Sequence, residues 1–320
     1  MQIKHRYLRP FYLALAVCLI VIFSVFPTYA KSVNDVDAIA SQITVLIAKG
    51  LKEGDVASRR EWDPGSGVII AHEGNTYYVA TNTHVVKWPN PKNVWGILTP
   101  DHKVHPVADD GQSIIRFGKY GEKIDGYDLA ILKFDSPNSY PVATIGDSEN
   151  LQIKSGVLNS GWPQPPDNSA KRQRLYRAGR ITKVAPVPIA DGGYSVLYSN
   201  ETRPGMSGGP VLNAAGELVG IHGRGRAKGN TYCVDQEINK NSSCGIRLAT
   251  FIEKANSLSI SLQYSKPPVN DNVISIGKLN RSKSDTIEDV YKIFTIGALR
   301  RDAGFGSGGC GSLLLGDRCP

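Results

Sequence analysis

Residues 203–225 read RPGMSGGPVLNAAGELVGIHGRG. Ser207 lies in the glycine-rich turn Gly205-Met206-Ser207-Gly208-Gly209, and two short apolar runs follow, joined by Asn213-Ala214-Ala215-Gly216. Glycine supplies the positive φ that tight turns need, so the turn alone reads as structural. Apolar runs punctuated by Asn and Gly read as paired strands. Whether Ser207 is a nucleophile or a small polar turn residue depends on the rest of the chain.

Outward from this stretch the sequence reads as many short strands. Residues 66–71 (SGVIIA) and 76–81 (TYYVAT) flank His72-Glu73-Gly74-Asn75 as a hairpin, and 129–134, 151–158, 175–184, 195–199, 209–213 and 218–222 are further strands. The 33 glycines, 19 prolines and 14 tyrosines favour turns and strands over a helix bundle. Antiparallel barrels or a sandwich follow from that spacing. Residues 33–49 form a short helix or strand, and 249–257 form a helix that closes the domain. From about residue 266 the chain changes character. Lys266-Pro267-Pro268 starts a linker, and residues 285–300 carry helical spacing with Asp285 as cap. A Gly/Ser-rich end follows, so 266–320 is a small appendage to a domain spanning 31–265.

The first thirty residues have a basic start (Lys4, Arg6, Arg9), an apolar stretch over 11–26 and Thr28-Tyr29-Ala30, which together read as a signal peptide cut after Ala30. An apolar stretch this short falls below the roughly 20 residues a bilayer span needs. The expectation is a secreted or periplasmic protein without a stable membrane span. Removing three basic and no acidic residues lowers the formal net charge from +8 to +5. Apart from Lys171-Arg172-Gln173-Arg174 and Arg224-Gly225-Arg226, the basic residues are scattered, and they are not interleaved with stacking aromatics, which argues against nucleic acid as a partner. Cys233, Cys244, Cys310 and Cys319 form two sequence-local pairs suited to an oxidising compartment, with three pairings open. Their spacing fits neither zinc nor a redox C-x-x-C, and neither metal nor cofactor is expected.

Acyl transfer by a hydroxyl needs a base, a carboxylate to orient it and donors for the oxyanion. His84 ends the strand TYYVAT in TNTHVV; Asp128 enters the apolar run of YDLAIL, where a carboxylate must be hydrogen-bonded. Asp125 is a nearby competitor. TNTHVV, YDLAIL and GMSGGPV, in the order His, Asp, Ser, resemble the trypsin-like serine proteases, especially the bacterial HtrA-like branch. GSGVII at 65–70 and IGDSENLQIKSGVLNSGWP at 145–163 extend the resemblance over about 36–256. It implies an all-β fold of two packed six-stranded antiparallel β-barrels, with a cleft between them and a short C-terminal helix. It also implies Ser207 as nucleophile, His84 as base and Asp128 as orienter, with the N–H groups of Gly205 and Ser207 as oxyanion hole. Protein or peptide substrates follow. Residues 266–320 are too few for the PDZ domain that usually follows in that branch.

The residues expected to wall the primary pocket point two ways. Thr202, five before Ser207, with Ile221, His222 and Gly223 resembles the glutamyl endopeptidases, which bind an acidic P1 side chain. Glu201, six before Ser207, would instead favour a basic one. A non-catalytic or latent binding protein of the same fold is the alternative. An α/β-hydrolase esterase is excluded by motif order, because that fold needs its Asp and His after the serine.

Overall fold

A computed structural model describes residues 31–54, 64–165, 172–225, 232–233, 236–237 and 242–264. The segment read as helix or strand is one after the other. Ser32 caps helix α1 (Val33–Ile43): its hydroxyl accepts the Asp35 N–H, and the Asp35 carboxylate accepts the Ser32 N–H. The helix gives way at Thr44 and Val45, whose branched side chains suit extended backbone, and strand β1 (Thr44–Lys49) begins without a loop.

The first sheet is antiparallel and adds β2 (Gly65–Glu73), β3 (Thr76–Thr81), β4 (Val94–Leu98), β5 (Val104–Ala108), β6 (Ile114–Lys119) and β7 (Asp125–Asp135), in the order β5-β4-β1-β2-β3-β7-β6. The second is a closed barrel of β8 (Gly156–Gly161), β9 (Leu175–Val184), β10 (Val196–Tyr198), β11 (Pro210–Asn213), β12 (Leu218–Arg224) and β15 (Ser243–Arg247), in the order β10-β15-β12-β11-β8-β9. A two-stranded ribbon, β13 (Tyr232–Cys233) and β14 (Gln236–Glu237), precedes β15, and α2 (Leu248–Ser257) follows it. A disulfide joins Cys233 to Cys244.

The all-β reading holds, with two differences. The first sheet has seven strands, not six, and is not closed into a barrel as the second is; the chain between His84 and Asp128 makes its β4, β5 and β6, none of them legible as strands. Strand β5 contains Pro106, tolerated because β5 lies at one end of the sheet. The strand expected over 151–158 begins only at Gly156. Lys154 there takes a positive φ (75°) and donates its N–H to Ile181 O, turning the chain before the barrel. The signal segment 1–30, the appendage from 266 and the Cys310/Cys319 pair lie outside the described residues.

Each sheet fills its own interior. Val45, Ile47, Ile69, Val79 and Leu132 pack inside the first, and Val157, Ile181, Val196, Tyr198 and Val219 inside the second. A third cluster joins the two, packing Val68, Ile70, Ala80 and Ile131 with Leu158, Leu212, Leu218 and Ile221. The ends of β3, β7 and β11 meet at that junction, where the candidate residues lie.

Candidate active site

The turn after β3 is locked to β7 by its own polar side chains. The Asn82 amide donates to Asp128 O at 2.8 Å, and the Thr83 hydroxyl donates to Leu129 O at 2.7 Å. This clamp swings His84 over the Asp128 carboxylate. Asp128 Oδ1 accepts the His84 backbone N–H at 2.9 Å, and Oδ2 lies 2.6 Å from Nδ1. An ionised carboxylate only accepts, so Nδ1 carries a proton, and whenever the ring is neutral its lone pair lies on Nε2. Burial alone would raise the Asp128 carboxyl, which is fully buried, but the His84 charge and hydrogen bonds from His84 and Tyr194 hold it below the usual carboxylate range. The competitor Asp125 is exposed. The His84 side chain keeps 26% exposure, so a substrate can reach its ring.

Ser207 sits on a turn fixed from both sheets. Its carbonyl accepts the Ser66 N–H of β2 at 2.7 Å, and the next residue's N–H donates to His222 O of β12 at 2.7 Å. Gly208 makes this possible: its φ is +87°, and a Cβ would lie 2.1 Å from Ser66 O. The Ser207 hydroxyl donates to Gly223 O at 3.0 Å, so it faces the pocket side and not His84. Catalytic hydrogen bonds of this kind commonly form or tighten only when substrate binds.

The two amides expected to form an oxyanion hole have no acceptor among the described residues, and the peptides carrying them are held. Pro204 O accepts the Gln164 N–H at 2.7 Å, so the trans geometry turns the Gly205 N–H the other way. Met206 O accepts the Gly209 N–H at 3.0 Å, which does the same for the Ser207 N–H. Gly205 takes φ +95°, with a would-be Cβ 2.6 Å from Trp162 O. Ser66 braces this turn: its hydroxyl donates to Gly205 O and accepts the Trp162 N–H, each at 2.8 Å. Free donors held on one turn can stabilise developing negative charge.

The pocket residues divide. His222 is buried, with Nδ1 2.6 Å from the Tyr198 hydroxyl. Burial, the nearby His84 charge acting in the same direction, pushes its pKa down to about 3, against a weaker opposing pull from the Cys244 carbonyl. Ile221 is buried and Gly223 lines the turn. Thr202 is buried and 2.7 Å from Ser243 Oγ, which in turn donates to Asn200 O, so the Thr202 hydroxyl is the donor of that pair. Glu201 is exposed and is not gathered with the others. Sequence reasoning missed Tyr194, whose hydroxyl donates to Asp128 Oδ2. It missed Ser66 as a brace too, although GSGVII had marked its strand. Among the described residues no group of three His, Cys, Asp or Glu could hold a metal ion.

A family model described as a trypsin-like peptidase domain matches residues 65–221, which contain His84, Asp128 and Ser207. HhoA of Synechocystis, whose name describes a serine protease, is 32% identical over 166 residues, covering 51% of this chain and 37% of that protein. A DegP-like protein of Pseudomonas putida, whose name describes a periplasmic serine endoprotease, is 32% identical over 166 residues, covering 49% of this chain and 28% of its own length. The chain thus spans about a third of the length of these relatives. Among solved structures, the HtrA-type protease AlgW with a tripeptide superposes with a TM-score of 0.50 at 21% identity, covering 71% of this chain and 64% of AlgW.

Proposed function

Because a trypsin-like peptidase family model matches residues 65–221, we propose that the chain is a serine endopeptidase, and that Ser207, His84 and Asp128 are its catalytic triad. The hydrogen-bonded His84–Asp128 couple carries the reading, since an imidazole anchored through Nδ1 offers a basic Nε2. Ser207 attacks the scissile carbonyl as Nε2 takes its proton. The tetrahedral oxyanion is held by the N–H groups of Gly205 and Ser207, and the leaving amine takes the proton from His84. Water then repeats the sequence on the acyl-enzyme. Asp128 stays ionised throughout and stabilises the imidazolium.

The preferred P1 residue is Glu. With Tyr198 donating to Nδ1, a neutral His222 would carry its proton on Nε2 and could offer it to a P1 carboxylate. Thr202 supplies a second hydroxyl in exchange for its bond to Ser243. Glu201, exposed to water, would select weakly for a basic side chain. The signal-like segment and the periplasmic name of a relative support an exported enzyme acting on proteins or peptides.

The test is a peptide library varied at P1, incubated with the protein and with Ser207→Ala. Cleavage after Glu by the wild type alone supports both parts, and cleavage after Arg or Lys keeps the triad but transfers selectivity to Glu201. Absence of Ser207-dependent cleavage returns the chain to the binding-protein alternative.

A further inference from the structure

Asp128 accepts one hydrogen bond that the His84–Ser207 chemistry does not itself require. The Tyr194 phenol donates to Oδ2, the oxygen that also receives the His84 Nδ1–H at 2.6 Å. Oδ1 holds the His84 backbone N–H. Tyr194 comes from the other half of the molecule, in the segment between β9 and β10, and is fully buried.

That segment is tied to the Asp128 strand at several points. Asp128 N–H donates to Gly192 O at 2.9 Å, Gly192 N–H donates to Ile124 O at 3.0 Å, and Ile124 N–H donates to Asp191 Oδ1 at 2.8 Å. The Arg224 guanidinium lies 4.3 Å from the Tyr194 ring centroid and pairs with Asp191 at 2.8 Å. A Cβ at Gly223 would lie 2.4 Å from the phenol oxygen, so only glycine leaves space for this tyrosine. The same glycine's carbonyl accepts the Ser207 hydroxyl. The fold has therefore built a dedicated seat for the phenol, and its single polar atom is spent on the carboxylate.

We propose that Tyr194 is a positioning residue for the Asp128–His84 couple. Its hydroxyl stops the carboxylate from rotating and keeps Oδ2 on the Nδ1–H, which aims Nε2 at the serine turn. The inference rests on the triad reading, since a carboxylate needs this aim only if His84 is a base.

Tyr194→Phe removes the hydroxyl and keeps the ring under Arg224. Two readouts separate positioning from mere structure. The first is kcat per active site, with sites counted by titration with an irreversible phosphonylating reagent. The expected result is a fall of about tenfold, as for loss of a hydrogen bond to a charged group, with KM changed less than about twofold. The second is the low-field proton resonance of His84 Nδ1–H, assigned with His84→Gln, which moves when Oδ2 loses its second donor. Unchanged kcat per titrated site overturns the proposal, and so does an unmoved resonance. If the wild type cleaves no peptide but the resonance moves, the endopeptidase reading fails while the coupling of Tyr194 to His84 stands.

Discussion

Ser66→Ala tests how the oxyanion turn is held. Ser66 is fully buried, and its hydroxyl is the only bridge between Trp162 N–H and Gly205 O among the described contacts. Alanine fits the space but leaves a buried donor and a buried acceptor unpaired, at about 1–3 kcal/mol each. Water has little room to replace the hydroxyl, because a Cβ on neighbouring Gly161 would already lie 2.9 Å from the serine oxygen. The backbone bonds of residue 66 to Ser207 O and from Thr81 Oγ1 persist, so the strand stays in register. Urea unfolding should therefore show a stability loss of about 2–6 kcal/mol. The Gly205–Met206 peptide, which lies between the two peptides carrying the oxyanion N–H groups, then keeps only its Met206 N–H bond to Arg203 O at 3.1 Å, and a neighbouring donor misdirected by its tilt costs up to about 10²–10³ in kcat. We expect kcat to fall at least about tenfold with KM little changed. A variant within about 0.5 kcal/mol of wild type, with unchanged kcat, would refute the argument.

Three further outcomes follow from the same geometry. Asp128→Asn turns an acceptor into a possible donor and lets the His84 proton move to Nε2, so kcat should drop by about 10⁴, measured with the best library peptide; retention within tenfold would contradict the Nδ1 assignment. His222, with its pKa near 3 in the folded chain, refuses a proton that the unfolded chain accepts below about 6.5. Wild-type stability should then fall relative to His222→Asn by up to about 1.4 kcal/mol per pH unit from pH 6.5 downward, and parallel curves of stability against pH would exclude this. Arg116 holds the buried Asp109 through two bonds, 2.8 and 2.9 Å, and donates to Val86 O two residues past His84. Arg116→Leu should cost about 3–5 kcal/mol in urea unfolding, and a loss below 1 kcal/mol would show that the pair is not needed.

The second barrel was legible at β9 to β12, whose apolar runs lie between clear turn residues, and Leu175–Val184 falls where the sequence placed it, whereas the barrel strand β15 (Ser243–Arg247) was not read as a strand. The stretch between His84 and Asp128 was not. Strand β6 has only Ile114 buried and four half-buried residues after it, and β5 buries only Val107, so neither shows the alternation over several residues that marks a half-covered strand. At the site, His84, Asp128 and Ser207 could be read because each sits in a local frame. Tyr194 could not, since a tyrosine in ADGGYSV reads as ordinary core until the Gly223 space and the Asp128 oxygen meet it in three dimensions. Pocket choice stayed divided for a similar reason: the fold, not the spacing, decides that Glu201 faces water while His222 and Thr202 face inward.

The most direct test of the central claim is covalent labelling with diisopropyl fluorophosphate, followed by intact-mass measurement and peptide mapping. The account predicts one diisopropylphosphoryl adduct per chain, with fluoride lost, mapped to Ser207, absent in Ser207→Ala and strongly slowed in His84→Ala. Labelling at another residue, or none at Ser207 in a protein that cleaves peptides, would contradict it.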